Sequence, residues 1–185
     1  MSISLLLEMA VSGDPDRVAV VSGETRLTAQ ELSDLADGGA RVIADSGAEH
    51  VVYVGTGGLL LPLLLFSSAR AARAFTPINY RLSAQGIRAL IARLPAPLVI
   101  VDEPYRGMVA DAGAMVFESE EFIRAARVAE PDVEFPDPED VGVVLFTSGT
   151  TSAPKAVELS HNNLTSYVTG TVEYGSADPH HAALI

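Results

Sequence analysis

The chain has 185 residues, enough for one domain of ordinary size with a sizeable core. Its 24 acidic and 12 basic residues leave a formal charge of −12, which excludes a general affinity for nucleic acid backbones, since that needs a basic face. It contains no cysteine, which rules out disulfides, thiolate metal sites and cysteine nucleophiles and fits a reducing, cytoplasmic setting.

Met1 to Val11 is apolar but lacks the basic segment that opens a secretory signal. Val18-Ala19-Val20-Val21 and Thr25-Arg26-Leu27 flank Ser22-Gly23-Glu24 and predict a hairpin, with Gly23 free to take positive φ. Thr28-Ala29-Gln30-Glu31 is a capping box. Leu32, Leu35, Ala36, Ala40 and Ile43 then follow at helical spacing, and Gly47 ends that helix. Val51 to Val54 reads as a buried strand. Gly57-Gly58 opens a Leu-rich helix with Pro62 in its first turn, where a missing N–H costs little. The run Leu59 to Phe66 is far shorter than the roughly 20 residues of a membrane span, so a buried helix is expected and no span.

Thr76-Pro77-Ile78-Asn79 reads as a loop, and Ile87, Leu90, Ile91 and Leu94 as a helix stopped by Pro95. Leu98 to Val101 predicts a strand, Met115 to Phe117 a short one, and Glu120 to Val128 a helix capped by Ser119. Ala129 to Asp140, with Pro131, Pro136 and Pro138, is expected to be an exposed connector. Val141 to Phe146 and Lys155 to Leu159 are strands around a polar loop, and a helix starts near Ser160. Strands alternating with helices predict an α/β fold, layered α/β/α, with a largely parallel sheet.

The polar loop carries the chemistry. Leu145 to Val157 sets five hydroxyl side chains, a glycine and one lysine between two apolar segments. Backbone N–H groups, hydroxyls and a cation together suit a ligand with many negative oxygens, such as a nucleoside triphosphate. A Ser/Thr-rich surface turn is the plainer alternative. A Walker A loop is rejected, because Pro154 stands where the second glycine belongs and Ala156 where the magnesium-binding hydroxyl belongs.

Phe146-Thr147-Ser148-Gly149-Thr150-Thr151-Ser152-Ala153-Pro154-Lys155-Ala156-Val157, followed by His161-Asn162-Asn163-Leu164, resembles the phosphate-binding signature of the adenylate-forming enzymes. That superfamily includes acyl-CoA synthetases, luciferases and nonribosomal peptide adenylation domains. Its usual string is an aromatic residue, TSGTTG-x-PKGV, then a histidine. Asp16 to Val20 with Leu27 to Leu32, and Phe75 to Ser83, resemble earlier segments of the same family. Ser152 and Ala156 depart from it, standing where glycines are usual, and a residue with a Cβ there costs about 1–3 kcal/mol if the loop needs positive φ.

The resemblance implies that residues 1–185 form the N-terminal part of a large AMP-binding domain, an incomplete subdomain of the adenylate-forming fold, with the C-terminal domain absent. It implies ATP, Mg2+ and coenzyme A as co-substrates with a small carboxylic acid, most naturally a fatty acid. Thr147, Ser148, Gly149, Thr150, Thr151 and Lys155 would bind the nucleotide phosphates. No catalytic residue and no protein-held metal are assigned. Ala182 to Ile185 reads as a strand cut in mid-run, so a fragment that makes no adenylate by itself is expected. Exposed apolar surface would then favour a homo-oligomer. An amino-acid-adenylating fragment and a non-catalytic interaction module are the alternatives.

The histidines offer less. His161 is expected to be a cap or a packed ring, and His50 to be solvated. Adjacent His180 and His181 diverge on any element and do not suggest a metal site. No G-x-S-x-G string supports a serine hydrolase.

Overall fold

Continuous apolar runs build the centre of the molecule. The computed structural model describes residues 1–131, 137, 139–147 and 154–171. Helix α1 spans Ser4–Gly13, and the hairpin β1 (Val18–Ser22) and β2 (Thr25–Thr28) turns at Gly23 with φ +59°. There follow α2 (Ala29–Asp45), β3 (His50–Gly55), α3 (Leu60–Arg70), β4 (Ala74–Asn79), α4 (Ala84–Ile91), β5 (Pro97–Val101), α5 (Arg106–Val109), β6 (Met115–Glu118), α6 (Ser119–Val128), β7 (Val141–Thr147), β8 (Lys155–Ser160) and α7 (His161–Thr171).

The six-stranded sheet has the order β6-β5-β3-β4-β7-β8. All neighbours are parallel except β7 and β8, which are antiparallel. Strands β3 and β5 are buried on both faces, which is why they read as unbroken apolar runs without alternation. Val51, Tyr53, Leu98 and Ile100 face one core, with Leu63 and Leu64 of α3, Ile43 of α2 and Phe122 of α6. Val52, Val54, Val99 and Val101 face the other, under Ile87, Leu90 and Ile91 of α4 and Val109 of α5. Alternation along the strand sends successive side chains to opposite layers. The expected layered α/β/α fold is the observed one.

The capping box forms as expected: Glu31 N–H donates to Thr28 Oγ1 at 3.1 Å, and Thr28 N–H donates to Glu31 Oε2 at 2.8 Å. Helix α2 is held by more than its caps. Gly38 lies against the Ala126 carbonyl of α6, and Gly39 against Ser67 of α3, so neither position has room for a Cβ. Buried Arg70 of α3 staples the same helix, donating to Ser33 O at 2.7 Å and to Asp37 Oδ1 at 2.8 Å.

Three expectations need correction, and one helix is added. Thr76 to Asn79 is not a loop but the end of β4, an interior strand. Its Pro77 lies across from Tyr53 of β3, while the register to β7 consists of the single pair Phe75↔Val143. Beyond that pair β4 has no second ladder to lose, so a residue without an N–H is tolerated. Ser119 does not cap α6; Glu118 is the N-cap, and Ser119 Oγ donates instead to Asp102 Oδ1 at 2.6 Å. His50 is not solvated but 4% exposed, and its Nε2 shares a 2.7 Å hydrogen bond with Thr76 Oγ1. Helix α1 was not foreseen; it buries Leu7, with Ile3 beside it. The described members of the connector, residues 129–131, 137, 139 and 140, belong to no helix or strand, as expected, and its remaining residues lie outside the described ones.

Candidate functional site

The carboxyl ends of the parallel strands form one edge of the sheet. In open α/β folds that edge, at the point where strand order reverses, is where ligands sit. Here the reversal lies between β3 and β5. Asp102, just past β5, fills it by accepting from Thr56 N–H at 2.8 Å, from Tyr53 Oη at 3.1 Å and from Ser119 Oγ. Burial, with the Asp102 carboxylate beside it, pushes the Tyr53 phenol above its ordinary range, so it stays a neutral donor. Gly55 leaves no room for a Cβ against Asp102 and Tyr53. Next to this knot a cavity of about 190 Å³ is lined by Thr56, Gly57, Leu61, Asn79 and Tyr80. It is smaller than the roughly 300 Å³ at which small-molecule pockets begin, so this edge does not enclose a nucleotide among the described residues.

Next to β4 in the sheet order, β7 is followed by its antiparallel partner β8. Their antiparallel register pairs Phe146 with Ala156 and Thr147 with Lys155. Thr147 and Lys155 are both exposed, and Thr147 Oγ1 donates to the Lys155 carbonyl at 3.4 Å. The apolar strand residues Val143 and Val144 are buried, which fixes the stem to the sheet. Of the residues expected to bind nucleotide, the structure thus brings Thr147 and Lys155 together. Ser148, Gly149, Thr150 and Thr151 lie outside the described residues, as does Ser152. Ala156 is exposed within β8, and the segment after Pro154 is a strand rather than a helix, which agrees with the rejection of a Walker A loop.

A group that spacing did not indicate joins the stem. Arg93, in the turn after α4, donates to Pro154 O at 2.7 Å and lies over the Phe146 ring, 4.9 Å from its centroid. A second cavity, of about 240 Å³, opens beneath this contact and is lined by His50, Arg93, Phe146, Ala156 and Glu158 among others. Arg93 is 61 residues from Pro154, so no local pattern could have shown the pairing.

His161 is a packed ring, 1% exposed, with Nδ1 bound to nothing among the described residues. Its burial holds the imidazole pKa below the ordinary value, against the pull of the Asp140 carboxylate. It begins α7 behind the sheet and packs on Gly142. His180 and His181 lie outside the described residues. Among those described, no three acidic or imidazole groups could hold a metal ion, and no helix is long and apolar enough to cross a membrane.

The profile of the AMP-binding enzymes matches residues 7–184. The chain belongs to the AMP-binding enzyme family. Members form adenylates from ATP and a carboxylic acid, which is the chemistry the resemblance implied. This AMP-binding chain is similar to tyrocidine synthase 2 of Brevibacillus parabrevis, 29% identical over 163 residues, covering 81% of the chain and 4% of that protein. It is 26% identical over 182 residues to the indoleacetate–CoA ligase of Aromatoleum aromaticum, covering 89% of the chain and 36% of that enzyme. The chain therefore spans well under two thirds of these relatives. Among solved structures, the Mycobacterium tuberculosis fatty acyl CoA synthetase superposes with a TM-score of 0.78 at 23% identity, over 91% of this chain and 37% of that one. ATP-bound MatB from Rhodopseudomonas palustris gives 0.76 at 23% identity, again over 91% and 37%. Both share the fold.

Proposed function

We propose that residues 1–185 are the N-terminal, phosphate-gripping part of an ATP-dependent acid–thiol ligase. In the first step a carboxylate oxygen attacks the α-phosphorus of ATP, giving an acyl-adenylate and releasing pyrophosphate. In the second, the thiol of coenzyme A attacks the acyl carbonyl and AMP leaves. The observation that carries this reading is the β7–β8 stem. It sets Thr147 opposite Lys155, on either side of the segment containing Ser148, Gly149, Thr150 and Thr151.

The work assigned to these residues is electrostatic and positional. Hydroxyls and N–H groups of residues 147–151 would bond the β- and γ-phosphate oxygens, and Lys155 would place a compact charge beside them. Magnesium would arrive with ATP as part of the substrate. A fatty acid is the preferred substrate class. A second reading, activation of an amino acid, is favoured by the similarity to tyrocidine synthase 2.

Isothermal titration with Mg-ATP tests the grip. Saturable binding is expected, weakened at least about tenfold in Lys155→Ala, since removing one charged hydrogen-bonding partner is worth about 1.5 kcal/mol or more. Equal binding by wild type and variant would refute the role of Lys155. Absence of binding in both would refute the nucleotide reading of this stem.

A further inference from the structure

We propose that Arg93 is a positioning residue for the Thr147–Lys155 stem: it fixes where the Lys155 ammonium stands when a nucleotide polyphosphate binds. The inference rests on the reading of that stem as a nucleotide grip.

One planar cation touches both arms of the stem. Its Nη1 donates to the carbonyl of Pro154, the residue before Lys155, at 2.7 Å. Its guanidinium lies over the ring of Phe146, the residue before Thr147, with 4.9 Å to the centroid. Thr147 and Lys155 form the last rung of the β7–β8 ladder, and a terminal rung opens at little free-energy cost. Strand pairing alone therefore leaves the ammonium loosely placed. A clamp that holds Phe146 on one side of that rung and Pro154 on the other restricts both arms together.

The clamp's own base is fixed. Arg93 and Leu94 N–H groups return to the carbonyls of Leu90 and Ile91 at 3.1 and 3.0 Å, prolonging the α4 spiral. Ala96 then turns with φ +33°, and its carbonyl accepts from Glu49 N–H at 3.1 Å, tying the turn to the start of β3. The residue type fits the task. A guanidinium can donate in its plane while its face stacks on an aromatic ring; an ammonium cannot do both from one position. Arg93 also brings positive charge to the stem that carries Lys155, in a chain whose formal charge is −12, where a polyanion needs a local cationic site.

A purely structural brace would hold the hairpin to α4 and leave ligand binding alone. Lys155 is the only lysine of the chain, so amine labelling read by mass spectrometry reports its ammonium separately from the N-terminus. Labelling is followed against Mg-ATP concentration in wild type, Arg93→Gln, Arg93→Met and Phe146→Leu, with a melting temperature for each. Mg-ATP is expected to protect Lys155 in wild type. The Arg93 variants should need roughly tenfold more nucleotide for half-protection, and Phe146→Leu several-fold more, since a charged hydrogen bond outweighs an exposed cation–π contact. Melting temperatures should stay at the wild-type value. Half-protection at the same concentration in wild type and both Arg93 variants overturns the inference and leaves the nucleotide reading standing. So does a shift seen only in variants that also melt earlier, with Phe146→Leu unchanged. No protection in wild type overturns the nucleotide reading and this inference with it.

Discussion

His50 and Thr76 share a 2.7 Å hydrogen bond between the first residue of β3 and the middle of β4, inside the sheet rather than at its surface. The imidazole is 4% exposed, and burial lowers its pKa to about 4. An unfolded histidine titrates near 6.5. As pH falls, the unfolded chain therefore takes up a proton before the folded chain does, and stability is lost between about pH 6.5 and about pH 4. The slope from this group reaches at most about 1.4 kcal/mol per pH unit. His161, shifted the same way, adds to it. Urea midpoints measured across this window should fall with pH in wild type and fall less steeply in His50→Gln. Parallel curves for the two proteins would refute the assignment.

Gly38→Ala is expected to cost about 3 kcal/mol or more, the upper end of overpacking penalties, because the added methyl overlaps the backbone carbonyl of Ala126 and not a movable side chain. Gly13→Ala, at the end of α1 with nothing within 4 Å, is the control and should be neutral or slightly stabilising. Equal denaturant midpoints for the two variants would show that α2 and α6 can separate freely.

Gly142→Ala places a Cβ 3.0 Å from both Cε1 and Nδ1 of His161 and 3.2 Å from Leu164 Cδ1. A loss of about 1–2 kcal/mol is expected, and it should shrink when His161 is also replaced by alanine. Additive losses in the double-mutant cycle would mean that the ring already moves aside.

Much of this architecture was legible because it is local. The Thr28–Glu31 box lies within a single helical turn, and β3 and β5 announce themselves as unbroken aliphatic runs. The stem of the polar loop was equally plain, since apolar segments flank it on both sides. What was misread depends on distant partners. Pro77 and Asn79 carry turn chemistry, yet β3 recruits them into a strand. His50 follows an acidic residue and looked solvated; strands β4 and β5 flank it, and its hydrogen-bond partner Thr76 is 26 residues away. Ser119 has the chemistry of a cap, but Asp102, 17 residues back, claims its hydroxyl. Arg93 carried no signal at all, being one surface arginine among several until the fold brings it over Phe146.

The lone Phe75↔Val143 pair between β4 and β7 makes the sheet mechanically two plates. One is the parallel quartet β6-β5-β3-β4, and the other is the antiparallel ribbon that ends in Thr147 and Lys155. A crack along that seam would sever few backbone bonds and leave both ladders intact. What resists it is side-chain mortar: Phe75 and Val143 in the core, and the Arg93 guanidinium across the gap.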